Sequence, residues 1–177
     1  MADLCRERGW TAVPVTLAPR ALAPMYMSTT RLRAVARDIV RSSSGSPVVV
    51  VGHSAGASAG CFISAFLRGK ADVRGLVMAD GVDSPNGLIR RYLPDLSSLR
   101  VSAVFADASP CNRNGKLENE IGAYPWVRYV HVLGAGHGDF EGNGIAIYTR
   151  VCGDRSTPDT SRRFRDELVR QVEWVLA

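Results

Sequence analysis

Residues Val48 to Gly60 read VVVVGHSAGASAG: four valines, a short polar step, then nothing larger than serine. A continuous β-branched run of that length suits a strand covered on both faces, the kind found inside parallel sheets. The small residues behind it suit a helix packed closely on that strand. Between the two stands Gly52-His53-Ser54-Ala55-Gly56, with the spacing G-x-S-x-G. That spacing puts a serine on a strained strand-to-helix turn, where a residue with little bulk two positions to either side avoids clashes. The pentapeptide alone is weak, since a Gly- and Ser-rich chain produces it by chance. Its weight comes from the valines before it and the small-residue helix after it.

Working outward, helical and extended patterns alternate. Ala2 to Arg8 predicts a short helix closed by Gly9, and Thr11 to Leu17 a β-branched strand with Pro14 near an edge. Ser28 is placed to cap a helix whose Leu32, Val35, Ala36, Ile39 and Val40 recur at helical spacing. Further helices are expected over 55–68, 88–93, 116–121 and 161–175, and further strands over 73–79, 101–106 and 126–133. The alternation predicts one α/β domain over 1–177, a mostly parallel sheet of about five strands with helices on both faces. No internal repeat or long linker divides it.

Composition narrows the function classes. The 177 residues carry a formal charge of +5, almost all of the positive charge being arginine. The densest basic stretch, RRFRDELVR (Arg162 to Arg170), is interrupted by Asp166 and Glu167, and Phe164, Leu168 and Val172 follow a helical period through it. Those arginines read as the wet side of a helix, so no nucleic-acid partner is expected. No apolar run approaches the ~18 residues of a membrane span. The start, MADLCRERGW, lacks the basic-then-apolar layout of a signal peptide, which points to the cytoplasm unless a preceding segment carried one. Among four cysteines no pair has metal-ligand spacing; Cys61 reads as a small buried hydrophobe, and a disulfide between Cys111 and Cys152 stays open. With no HExxH and no phosphate-binding lysine loop, neither a metal nor a nucleotide cofactor is expected.

Reacting groups of an open parallel sheet gather beyond the carboxyl ends of its strands. Ser54 stands there as candidate nucleophile, and the backbone N–H of Ala55 at the helix start as its first anion donor. A serine needs a base, and there are three histidines. His53 adjoins the serine and points away at such a turn. His131 lies inside a strand. His137, in the loop GAGHGD after the final strand, is the expected base. The carboxylate that holds its ring is expected to be Asp107, at the end of VSAVFA, with Asp80, at the end of VRGLVMA, as the rival. Asp139 and Asp83 read as surface or loop-capping residues.

With VVVVGHSAGA, VSAVFAD and HVLGAGHGD in hand, the chain resembles the α/β-hydrolases, in particular bacterial esterase- and lipase-like members, over nearly its whole length. The resemblance implies carboxylic ester hydrolysis through an acyl-enzyme on Ser54, with His137 as base, Asp107 as acid and a small-molecule ester as substrate. One departure stands out. The family places three strands and an anion-binding loop, often beginning His-Gly, ahead of the segment that RERGWTAVPVTL resembles, and no such loop precedes Ser54 here. The chain is therefore expected to be an N-terminally shortened hydrolase domain. Three arrangements are open: a fragment of a longer chain, a direct pairing of Thr11–Leu17 with the valine strand, or a second copy covering the exposed edge as a homo-oligomer. The second is expected, with the loop near Ala18 supplying the other anion donor. The alternative function is a non-catalytic remnant of the fold that acts as a binding module.

Overall fold

The computed structural model describes residues 2–15, 28–141 and 146–177. Helix α1 (Ala2–Glu7) opens the chain, and α2 (Thr29–Ser43) precedes the sheet. The valine run forms β1 (Val48–His53) and turns without a spacer into α3 (Ala55–Leu67). There follow β2 (Val73–Ala79), α4 (Leu88–Tyr92), β3 (Arg100–Phe105), α5 (Lys116–Ile121), β4 (Arg128–His131), α6 (Ala146–Cys152) and α7 (Pro158–Leu176). The four strands are all parallel and lie in the order β1-β2-β3-β4, so each crossover advances the sheet in one direction. This is the α/β architecture the alternation predicts.

Strand periodicity divides the core in two. Leu76 and Met78 of β2, with Val101, Ala103 and Phe105 of β3, face Cys61 of α3, Ile89 of α4 and Leu117 and Ile121 of α5. Their alternates Val77, Ala79 and Val104 face Phe164, Leu168 and Val175 of α7. Helix α2 covers α3 from outside, pressing Leu32 and Ala36 onto Ala59, Phe62, Ile63 and Leu67. Gly60 allows α3 to lie close on the sheet, for a Cβ there would meet Leu76 Cδ1 at 2.9 Å. The arginines of RRFRDELVR lie on the outer side of α7, where Arg162 and Arg163 pair with Asp159 and Arg170 with Glu167. Among the described residues no helix is long and apolar enough to cross a membrane.

Four strands are present among the described residues, not five. Residues 11–15 form no strand and no ladder with β1, which leaves β1 at the edge. Pro14 has no N–H for a ladder, and Val13 and Val15 are exposed. The remainder of the expected strand, Thr16 and Leu17, lies outside the described residues, as does Ala18. Strand β4 is shorter than the expected 126–133; Tyr129 and Leu133 are exposed, so little packing extends it. Ser28 takes the extended N-cap conformation without a side-chain capping bond. Helix α7 starts earlier than expected because Thr157 caps it, accepting from Thr160 N at 3.1 Å, with Pro158 in the first turn.

Candidate active site

The turn between β1 and α3 holds Ser54 at φ 54° and ψ −126°, a conformation that side chains rarely adopt. Three backbone bonds fix it: Ser54 N–H donates to the Ala79 carbonyl at 3.0 Å, and the Ser54 carbonyl accepts from Ala57 N and from Val82 N, each at 3.0 Å. The two glycines of the pentapeptide are not equivalent. A Cβ on Gly52 would stand 2.3 Å from the Gly56 carbonyl oxygen and 2.8 Å from Ala57 Cα, whereas one on Gly56 would meet nothing within 4 Å. The close approach is therefore made by the strand residue. Ala55 is the first residue of α3, and its N–H has no acceptor within the helix. The second anion donor expected near Ala18 lies outside the described residues.

His137 is brought to Ser54. Its Nε2 lies 3.0 Å from Ser54 Oγ, and its Nδ1 lies 2.6 Å from Asp80 Oδ2, with both His137 and Asp80 buried. Since the carboxylate can only accept, Nδ1 carries the proton and Nε2 is left to accept from the serine hydroxyl. The acid at the imidazole is thus Asp80 and not the expected Asp107. The sheet order explains it. Asp80 leaves β2, the strand beside β1, while Asp107 leaves β3, one strand spacing of about 4.8 Å further away. The His137 loop leaves β4 and arches back across β3 to meet Asp80. Asp107 instead accepts from the N–H of Gly134 at 3.1 Å and lies 2.9 Å from Nε2 of His131.

His131 completes a separate cluster, its Nδ1 being 2.8 Å from Glu118 Oε1. Partial burial lowers its pKa, but bonds to Asp107 and Glu118 outweigh that, so the ring sits above the ordinary histidine value. It ties α5 to the strand ends and stays away from Ser54.

His53 supports the loop from beneath. Its ring stacks on Phe140 at 4.6 Å, and its Nε2–H donates to the His137 carbonyl at 2.9 Å. Burial and, second, the neighbouring His137 bring its pKa down to about 4, so it stays a neutral donor at physiological pH.

Two further carboxylates fasten the same loop. Asp139, wholly buried, accepts from Gly136 N at 2.8 Å and from the Ser161 hydroxyl of α7. Asp154 accepts from Gly138 N at 2.7 Å. A Cβ on Gly136 would stand 2.6 Å from Asp154 Cγ, so only glycine passes beneath that side chain. Asp139 is a loop cap, as expected, though not a surface residue. Asp83 is also a cap, accepting from Ile89 N at 2.8 Å and from Ser58 Oγ at 3.1 Å. Cys111 and Cys152 form a disulfide. Cys61 is fully buried, and burial pushes its thiol well up, out of nucleophilic use.

Sequence reasoning missed Asn112 and Asp154. Asn112 is buried, with its Nδ2 3.2 Å from both Asp80 oxygens and 2.8 Å from the Asp107 carbonyl. Only the turn-like SPCN and GDRSTP marked these segments, and turn chemistry does not say what a turn faces. Among the described residues no group of three or more His, Cys, Asp or Glu is arranged to hold a metal. Family models, curated proteins and solved structures give no match to this chain, so the functional reading rests on the geometry around Ser54.

Proposed function

We propose that this chain is a serine hydrolase of the α/β-hydrolase type that cleaves carboxylic esters through an acyl-enzyme on Ser54. The observation that carries the reading is one continuous chain of contacts: Ser54 Oγ to His137 Nε2 at 3.0 Å, and His137 Nδ1 to Asp80 at 2.6 Å. In this reading the Ser54 hydroxyl attacks the ester carbonyl while Nε2 takes its proton. Asp80 holds the ring in the required tautomer and stabilises the imidazolium. The N–H of Ala55, at the positive end of α3, faces charge developing on the carbonyl oxygen. The imidazolium then protonates the leaving alkoxide, and a water activated by the same nitrogen releases the acid.

A fluorophosphonate probe and nitrophenyl esters of graded acyl length test the reading. The wild-type protein is expected to label and to hydrolyse the esters, with both lost in Ser54→Ala. A folded protein that does neither leaves the binding-module alternative.

A further inference from the structure

We propose that Asn112 is a positioning residue of this site, orienting Asp80 and, through Asp80, setting the basicity of His137. The proposal rests on the hydrolase reading for its catalytic consequence alone; the effect on His137 stands without it.

The two halves of the Asn112 amide have different work. Its Oδ1 accepts from the backbone N–H of Ser109 at 2.8 Å and of Gly115 at 3.0 Å, closing the turn that follows β3. Those two donors fix which end of the amide is oxygen. The Nδ2 end therefore points at Asp80, sharing its hydrogens between the two carboxylate oxygens and the Asp107 carbonyl. Asp80 Oδ1 also accepts from Ala106 N at 3.1 Å, so the carboxylate has donors on both sides and presents Oδ2 to the imidazole. Donors to a buried carboxylate favour its ionised form and limit the negative charge it exerts on the ring. The next residue back, Cys111, is bonded to Cys152, two positions before the Asp154 that holds the Gly138 amide. The side chain that aims the acid is thus tied covalently to the segment that holds the base.

Asn112→Asp separates the two halves. One oxygen keeps the turn-closing acceptor position, and the donor facing Asp80 becomes a second carboxylate oxygen. The measurement is the NMR titration of the His137 ring in the intact protein without substrate, alongside kcat and KM on a nitrophenyl ester. Asn112→Asp is expected to move the His137 midpoint upward, the facing His53 ring, 4.8 Å away, staying neutral in that range. Where the wild type hydrolyses the ester, kcat should fall about 10- to 100-fold with KM within about twofold, and the acid limb of the rate profile should move up with the titration. Asn112→Ala, which removes the donor without adding charge, gives the same upward direction and serves if the aspartate variant does not fold. A folded variant whose His137 titrates as in the wild type overturns the proposal, and Asn112 is then only a turn residue. A moved titration in a protein that hydrolyses no ester keeps the positioning role and removes the esterase.

Discussion

Gly52 and Gly56 flank Ser54 symmetrically in sequence and asymmetrically in space. Gly52→Ala drives a methyl into the Gly56 carbonyl and should cost about 3 kcal/mol or more, read as a lowered urea midpoint or loss of soluble protein. Gly56→Ala enters open space within a helix and should leave that midpoint unchanged or raise it, by up to about 1 kcal/mol. If the two substitutions behave alike, the turn is not built this way. The two aspartates make a second contrast. Asp80→Asn puts an amide where the imidazole requires an acceptor, and should lower kcat by about 10⁴. Asp107→Asn should leave kcat within a few-fold, because its partners are His131 and Gly134. Comparable losses in both would remove Asp80 from the role proposed for it. Ser54 and His137 were legible because each stands in a motif whose local backbone dictates its placement. The acid was not: Asp80 and Asp107 each follow a strand closely, and choosing between them needs the lateral order of strands, which no local pattern encodes.

At the level of elements, the 134–140 loop is supported on three sides, by Asp139 as the cap the sequence allowed and by contacts of His53 and Asp154 that no local pattern announces. His53 stacks beneath, Asp139 reaches α7, and Asp154 covers Gly136. His53 gives this support a pH signature. Above pH 6.5 its ring is neutral whether the chain is folded or not. Between 6.5 and about 4 the unfolded chain takes up a proton that the folded protein refuses, so stability falls as pH drops through that window. His53→Phe keeps the stack on Phe140 and removes the ionisable group. The wild type should therefore lose more of its urea midpoint between pH 7.5 and 4.5 than the variant, and equal losses would contradict the assignment. The helices were easier to anticipate than the loops. Leu32, Val35, Ala36 and Ile39 recur at helical spacing, and buried β2 announces itself in seven residues. A loop's form depends on what lies beneath it, and Asp154 is distant from His137 in sequence.

Among the described residues both edges of the whole sheet, β1 and β4, have no strand beside them, and the edge at β1 adjoins Ser54. Ser54 N–H donates to β2, so by strand periodicity the amides of Val50 and Gly52 also turn toward β2 while those of Val49, Val51 and His53 turn away. Hydrogen exchange should therefore show alternation along β1, with Val49 and Val51 faster than Val50 and Gly52. A second copy on that edge, the homo-oligomer among the three arrangements left open, would slow the fast set as protein concentration rises. Exchange unaffected by concentration would argue against a second copy at that edge.

The Cys111–Cys152 bond joins residues 41 positions apart, and inside that ring lie α5, β4 and the His137 loop. A ring of that size should restrict the denatured chain by about 4 kcal/mol on loop-closure grounds. It also means that a single protease cut between residues 113 and 151 severs the backbone without dividing the molecule. Such a nicked protein would run as one species on a gel without reductant and as two with it, and where the cut falls before His137 the piece carrying Ser54 would still hold that ring on a tether.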